Sequence, residues 1–339
     1  MTRDAIAIRT PRADWLAQVT EEIIEPDLPI VDPHHHLWDR LGGYLLDELL
    51  ADTATGHNIV ATVFVQCRHG YRVEGPEHLK PVGESEMAIA VAEDCDRRGG
   101  PTRAVAGIVS FADMTLGAAV DEVLQAQIAA AKGRFRGIRH ITATDASFDT
   151  SLPPVAAGLM MTPAFREGVA RLAPAGLSFD GWLYHPQIPE FTALARACPD
   201  TQMILDHVGG PLGIGAYRGR QDEVFAGWKA AMTELSGCPN VAVKLGGLVM
   251  DTIGCPWPED AVPPTSKVMA EAFRPWVDTT IELFGPDRCM FESNFPVDKV
   301  ACSYPVLWNA FKRLTEGASA AEKASLFHDT AQRVYRLEL

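Results

Sequence analysis

Short apolar segments rich in β-branched residues recur along the chain, bounded by turn-forming residues such as glycine, proline, asparagine and aspartate. This pattern is typical of β-strands. It predicts eight of them: Pro29–His34, Ile59–Gln66, Arg103–Ser110, Phe135–Ile141, Leu177–Leu183, Gln202–His207, Asn240–Leu245 and Arg288–Ser293. Several are apolar almost throughout instead of alternating, as expected for a parallel sheet that helices cover.

Segments with helical spacing of apolar residues lie between most of these strands. They are Ser85–Arg98, Leu116–Ala131, Thr162–Ala173, Ile188–Ala197, Asp222–Ser236 and Ser266–Phe284, and Tyr304–Leu314 and Ser319–Arg336 follow the last strand. Eight strand-then-helix units predict an α/β fold of the (β/α)8 TIM barrel type. The alternative is a generic α/β protein in which one strand is miscounted.

The length of 339 residues is compatible with one barrel, because such barrels fill ~250 residues or more as a single unit. No repeat or flexible linker divides the chain, so we predict an N-terminal arm, 1–28, and a barrel, 29–339. The connections Arg68–Glu84 and Gly246–Thr265, after strands two and seven, are unusually long. Each is either a lid over the barrel mouth or a surface excursion without a role.

The composition excludes some classes of partner. A formal net charge of -14 argues against nucleic acid and against an anionic membrane surface, but a small anionic substrate remains compatible. Residues 1–19 do not resemble a secretory signal, and no apolar run approaches the ~20 residues of a membrane helix. The seven cysteines are scattered without a C-x-x-C pair, which predicts reduced thiols in a cytoplasmic protein.

Histidines mark the ends of two predicted strands. On an extended strand His34 and His36 point to one side while His35 points to the other. His207 ends strand six, which brings it to the same rim of a barrel as the strand-one pair. Imidazoles grouped in this way can hold a metal ion or orient a water molecule. A hydrogen-bonded core histidine is the alternative interpretation of His207.

Four motifs, in order, resemble those of the amidohydrolase superfamily, and within it the amidohydrolase-related group of sugar lactonases and 2-pyrone-4,6-dicarboxylate lactonase. They are Asp32-Pro33-His34-His35-His36-Leu37-Trp38, Leu205-Asp206-His207-Val208-Gly209-Gly210-Pro211, Lys244-Leu245-Gly246-Gly247-Leu248 and Ser293-Asn294-Phe295-Pro296-Val297. The resemblance implies an active centre of the two strand-one histidines, the strand-six histidine and a strand-eight aspartate. Some members hold a divalent metal there and others work without one.

The strand-eight aspartate falls on Asn294 in this chain. An amide neither accepts the proton of an attacking water nor ligates metal as well as a carboxylate does. Glu292 shares the strand face of Asn294, so we predict that the carboxylate has moved there, with Asp298 as the rival candidate. A structural ion pair of Glu292 with Lys244 or an arginine is the alternative.

A metal centre of His34, His36, His207 and Glu292 would suit zinc. Asn294 lowers the expected affinity for a metal, so metal-free catalysis is the alternative.

Polar residues at other strand ends are candidates for holding the substrate: Trp38, Gln66, Arg68, Arg139, Tyr184, His185 and Lys244. Arg139 is the main candidate for binding a carboxylate, since a guanidinium donates two parallel hydrogen bonds. For each residue taken alone, a structural ion pair or a packing contact is the alternative.

The predicted function is hydrolysis of a small lactone or related cyclic ester, expected to be anionic, by a water molecule held at the catalytic residues His207, Asn294, Glu292 and Asp298. Two alternatives remain: a non-oxidative decarboxylase or hydratase of an aromatic acid, and a barrel that binds a ligand without turnover. We expect a monomer or a homodimer.

Overall fold

Eight parallel strands surround a common axis in the computed structural model, which describes residues 4–6, 9–150 and 153–339. We number them β1 to β8: Pro29–His35, Asn58–Val65, Arg103–Ser110, Phe135–Arg139, Ser178–Gly181, Met203–Leu205, Val241–Leu245 and Cys289–Phe291. Strands that follow each other in sequence pair side by side and parallel, from β1 to β8. The predicted TIM barrel is confirmed.

The barrel closes between β1 and the segment that follows β8. The amide of His36 donates to the carbonyl of Phe295 at 2.8 Å, and the amide of Asn294 donates to the carbonyl of His34 at 2.9 Å. The buried carboxylate of Asp32 reinforces this seam, accepting from the Ser293 amide at 3.0 Å and the Tyr304 hydroxyl at 2.9 Å. Burial raises the pKa of Asp32 to about 6.

Eleven α-helices lie among the described residues: α1 to α11 are Ala13–Leu16, Leu46–Thr53, Val82–Arg98, Val120–Ala130, Pro163–Ala170, Ile188–Ala197, Gln221–Ser236, Ser266–Phe284, Tyr304–Leu314, Ala320–Ala324 and Thr330–Val334. The last predicted helix is divided, because a π-helical turn, Ser325–Asp329, separates α10 from α11. The short helices α1 and α2 were not predicted, since so few residues show little periodicity.

The segment before the barrel packs against the connection that follows β7. Residues 4–6 form a two-stranded parallel pair with Phe148–Thr150. The Arg12 guanidinium donates to the carbonyl of Pro258, and the Trp15 indole donates to the carbonyl of Asp260 at 3.0 Å. Part of the predicted arm, residues 1–3 and 7–8, lies outside the described residues.

The C-terminal segment fills the end of the barrel at which the strands begin. Val334, Tyr335 and Leu337 pack with inward-facing strand residues such as Val63 and Met290. A larger apolar core lies between the strands and the surrounding helices. All seven cysteines are free. Within the described ranges, no helix has the length and apolarity needed to cross a membrane.

Candidate active site

The strand-end histidines converge as the spacing predicted. The ring of His34 lies 4.9 Å from that of His36 and 4.6 Å from that of His207, measured between centroids. All three side chains are buried. His35 points the other way and places Nε2 at 2.9 Å from the Thr62 hydroxyl, so the alternation along β1 sorts the histidines by face.

Glu292 connects two of these histidines. Its Oε1 lies 2.6 Å from Nδ1 of His207 and also accepts from the His207 amide at 3.2 Å, while its Oε2 lies 2.8 Å from Nδ1 of His34. A carboxylate paired with Nδ1 holds the proton on that nitrogen and leaves Nε2 as the basic atom of the imidazole. The His207 side chain lines the main cavity.

Two adjacent glycines after β7 make room for this pair. A Cβ on Gly246 would lie 2.4 Å from Cγ of Glu292, and one on Gly247 would lie 2.6 Å from Cγ of His207. Gly247 also has a φ of +64°, which disfavours other residues. His207 and Asn294 themselves have φ values of 56° and 54°, a strained conformation that clusters at functional sites.

A buried cation lies beneath the histidines. Nζ of Lys244 is 2.8 Å from Asp180 Oδ2, 3.1 Å from Asp206 Oδ1 and 3.1 Å from Nδ1 of His34. Burial disfavours the ammonium, but the neighbouring carboxylates outweigh this and raise the pKa of Lys244. Burial also raises the pKa of Asp180 to about 6.

Arg139 reaches the opposite side of His34. Its Nη1 donates to Nε2 of His34 at 3.2 Å, and its Nη2 donates to the carbonyl of Gln66. Burial first, and then the charges of Lys244 and Arg139 among its neighbours, lower the pKa of His34 well below its ordinary value. His34 is therefore a neutral imidazole in the folded protein.

The two remaining candidates after β8 are bonded to each other. Nδ2 of Asn294 donates to Oδ1 of Asp298 at 2.8 Å, so the amide oxygen of Asn294 faces away from that carboxyl. Burial raises the pKa of Asp298 well above its usual range. The Asp298 carboxyl thus contacts Asn294, whereas Glu292 contacts two imidazoles.

A cavity of about 630 Å³ opens above the histidines, with His36, His207 and Asn294 in its wall. Five of the predicted substrate residues also line it: Trp38, Gln66, Arg68, Arg139 and Tyr184. The other two do not, since Nδ1 of His185 accepts from the Leu212 amide at 3.2 Å and Lys244 is fully buried below. Among the described residues, four arginines line the cavity and one acid does, Asp251.

One group of side chains in the described part of the chain is arranged to hold a metal ion: His34, Asp206 and His207, whose ligand atoms lie within 4.8 Å of one another. Oδ2 of Asp206 is buried with no hydrogen-bond partner among the described residues. Imidazole and carboxylate donors suit zinc, so these residues fit a divalent ion. His36 lies outside the group, and its Nδ1 is 2.8 Å from the carbonyl of Val65.

Sequence reasoning missed Asp206 and Asp180 as members of the site. Asp206 precedes His207 within a motif already singled out, so its position was a usable signal. Asp180 stands in β5 with no motif around it, and only the closed barrel brings it to Lys244.

The fold and the grouping of His34, His36 and His207 define a (β/α)8 barrel with a histidine-rich centre at the ends of its strands. Residues 31–337 match the family model described as Amidohydrolase, and the chain belongs to that family.

Relatives extend over nearly the whole chain. An uncharacterized protein, y4mH, from Sinorhizobium fredii is 36% identical, with 92% of this chain and 99% of the relative covered. An L-fucono-1,5-lactonase from Burkholderia multivorans is 28% identical over 91% of this chain and 96% of its own. A crystal structure of an amidohydrolase from Burkholderia multivorans with bound zinc is 25% identical, with a TM-score of 0.70, covering 91% and 99% of the two chains.

Proposed function

We propose that the protein hydrolyses a small lactone, with Glu292 and His207 as the pair that activates water. The observation that carries this proposal is the contact between Glu292 Oε1 and His207 Nδ1 at 2.6 Å, in a histidine that lines the cavity. Such a pair leaves Nε2 free to take a proton. The similarity to a protein named as a lactonase supports the same class of reaction.

His207 and Arg139 have different roles in the proposed reaction. His207 Nε2 takes a proton from water as the water oxygen bonds to the lactone carbonyl carbon. The Arg139 guanidinium, buried at the floor of the cavity, stabilises the oxyanion that forms. The bond from that carbon to the ring oxygen then breaks, and His207 returns the proton to the departing oxygen. The product is a hydroxy acid.

Asn294 orients the water in this scheme. Because its Nδ2 is engaged by Asp298, its amide oxygen remains to accept a hydrogen bond from the water molecule. The hydrogen bond from Asn294 Nδ2 to Asp298 Oδ1 fixes the orientation of that amide. We therefore assign the role of Asp298 to holding Asn294.

A divalent ion, if the protein binds one, would be held by His34, Asp206 and His207. It would supply Lewis-acid polarisation of a carbonyl and a lower pKa for a bound water. Glu292 would then orient the ring of His207 from behind, as carboxylates next to metal-binding histidines do.

The lining of the cavity favours a substrate with a negative charge. Arg9, Arg40, Arg68 and Arg139 face it, and Arg9 is already paired with Asp251 at 3.1 Å. Guanidinium groups bind carboxylates with paired hydrogen bonds. We expect acidic lactones to bind more tightly than neutral ones of the same ring size.

The test is a panel of acidic and neutral lactones followed with a pH indicator, since ring opening releases a proton. We expect wild-type turnover, and a loss of kcat by ~10²–10⁴-fold in both His207→Asn and Glu292→Gln. His57→Gln is the control, because His57 directly precedes β2, at the end of the barrel where the strands begin, and is bonded to the Pro305 carbonyl at 3.1 Å. Unchanged turnover in Glu292→Gln together with its abolition in Asp298→Asn would show that Asp298 is the base.

A second measurement addresses the metal. Elemental analysis before and after chelation, with activity measured in the same samples, shows whether an ion is held and whether it is needed. Asp206→Asn provides the site-specific comparison: a metal held at this centre is lost from that variant and retained in His57→Gln.

A further inference from the structure

We propose that Tyr335, near the C-terminal end of the chain, is a positioning residue for the catalytic centre, which it serves through Asp180 and Lys244. The expected change in kcat rests on the proposed function, whereas the positioning of Lys244 by Tyr335 rests on the contacts alone. Tyr335 follows α11 and lies at the closed end of the barrel with Val334 and Leu337. It lies across the barrel from the substrate cavity, whose wall does not include it.

The hydroxyl of Tyr335 holds one oxygen of a buried carboxylate. It donates to Oδ2 of Asp180 at 2.6 Å, and Nζ of Lys244 donates to the same oxygen at 2.8 Å. The other oxygen, Oδ1, has no hydrogen-bond partner in the described part of the chain. Without the hydroxyl, the orientation of Asp180 would depend on Lys244 alone.

Lys244 transmits this constraint to the histidines. Its Nζ lies 3.1 Å from both Asp206 Oδ1 and His34 Nδ1, and 5.4 Å from the centre of the Tyr335 ring. The Tyr335 ring and the Asp180 carboxylate together fix the position of the Lys244 ammonium. A shift of the ammonium toward or away from Asp206 would change the placement of the neighbouring His207 and His34, which the proposed reaction uses.

The molecule contains a matched cluster outside the catalytic centre. The Tyr44 hydroxyl donates to Asp52 Oδ2 at 2.8 Å, Lys299 donates to the same oxygen at 2.7 Å, and its Nζ lies 5.2 Å from the Tyr44 ring centre. We call Tyr335–Asp180–Lys244 the inner cluster and Tyr44–Asp52–Lys299 the outer cluster. Removal of the hydroxyl from Tyr44 reproduces the chemical change without touching the histidines.

The kinetic experiment compares Tyr335→Phe, Tyr44→Phe and Leu337→Ala. We expect kcat to fall about tenfold in Tyr335→Phe, as for other residues that orient catalytic side chains, with KM within about twofold of wild type because the substrate cavity is unchanged. Tyr44→Phe keeps the wild-type kcat. Leu337→Ala loosens the same C-terminal segment by truncating a buried apolar side chain and lowers Tm, yet also keeps kcat.

A spectroscopic readout tests the inference even if no lactone is turned over. In protein labelled with ¹⁵N-lysine, the buried Lys244 ammonium should give a protected signal, assigned by its loss in Lys244→Met. We expect that signal to shift or broaden in Tyr335→Phe and to stay unchanged in Tyr44→Phe.

Three results would overturn the proposal: an unaltered Lys244 signal in Tyr335→Phe, an unaltered kcat in that variant, or an equal loss of kcat in Leu337→Ala. The two proposals can also fail separately. If the wild-type protein hydrolyses no lactone but the Lys244 signal changes in Tyr335→Phe, the proposed reaction is wrong and the positioning role stands.

Discussion

The inner and outer clusters join the same three kinds of side chain, with the tyrosine and the lysine donating to one shared carboxylate oxygen, yet they have different surroundings. In the outer cluster both oxygens of Asp52 accept from Lys299, at 2.8 and 2.7 Å, and the lysine side chain is 23% exposed. In the inner cluster the lysine is fully buried and contacts Asp206 and His34 as well. The comparison teaches that position within the barrel, and not the local chemistry, determines whether such a cluster reaches the catalytic centre.

Burial also changes the electrostatics of the two clusters. Burial raises the pKa of both acids, Asp52 and Asp180, and that of Asp180 to about 6. In the inner cluster the neighbouring carboxylates in turn raise the pKa of Lys244, so the buried ammonium depends on them. Its Nζ also lies 3.1 Å from Nδ1 of His34, which connects the inner cluster to the histidines.

The largest expected difference between the clusters comes from removing their lysines. Lys244→Met takes away the cation that Asp180 and Asp206 share, so we expect it to cost about 3–5 kcal/mol of unfolding free energy and about 100-fold or more in kcat. Lys299→Met removes a partly exposed ion pair and should cost about 1 kcal/mol with no change in kcat. Urea unfolding and steady-state kinetics measure both.

Equal losses of activity in the two lysine variants would show that the clusters do not differ functionally. If both lysine variants lost similar stability but only Lys244→Met lost activity, the clusters would differ in function and not in their contribution to stability.

A smaller effect is expected from disturbing His207 without touching the inner cluster. A Cβ at Gly247 would lie 2.6 Å from the His207 ring at a φ of +64°, so we expect Gly247→Ala to lower kcat by about 10²-fold, the scale of a misplaced catalytic group. The Lys244 ammonium signal should change little. Gly227→Ala is the control, since Gly227 lies on α7 with open space at its Cβ position and the change should add about 0.5–1 kcal/mol of stability.

If Gly247→Ala were fully active, the proposed role of His207 would be contradicted, whatever the behaviour of the inner cluster.

The smallest expected effect concerns how far Tm falls at acidic pH. Burial lowers the pKa of His35, which lies on β1 and points away from the inner cluster toward Thr62 and Phe64, to about 3. A buried neutral histidine contributes stability that is present above its ordinary pKa of ~6.5 and is lost as the pH falls toward the folded value. We therefore expect Tm to fall between pH 6.5 and pH 4, and to fall less in His35→Gln, measured by calorimetry.

His78→Gln is the matched control for His35, because the His78 side chain is 36% exposed. An identical pH dependence of Tm in wild type and His35→Gln would exclude His35 as a source of the acid sensitivity.

Several features of the fold and site were predictable because they depend on local patterns. Short apolar segments correctly predicted all eight strands. Six predicted strands extend beyond the observed ones, mainly at their C-terminal ends, where the polar residues of the candidate site begin. The separation of His34 and His36 from His35 follows from the two-residue period of a strand. His207 and Glu292 were identified from strand ends and from the family motifs.

Other features depend on contacts between distant parts of the chain. Tyr335 lies 155 residues from Asp180, and nothing near either residue in sequence signals their hydrogen bond. The replacement of the usual aspartate by Asn294 was visible in the sequence, but its pairing with Asp298 required the turn after β8. The two glycines of the Lys244-Leu245-Gly246-Gly247 motif were also visible in the sequence. Only the structure shows why glycine is needed there, because Glu292 and His207 occupy the space that a side chain would fill.

The sequence by itself determined the barrel, its family and the histidines at the strand ends, because these follow from hydrophobic periodicity and short contiguous motifs. Only the tertiary structure decided which atoms meet at the centre: Glu292 between His34 and His207, Asp206 in place of His36 in the group able to hold a metal, and Lys244 beneath them. Closing the barrel brings residues from eight separate strands to one axis. The burial and charge that set their pKa values exist only after that closure.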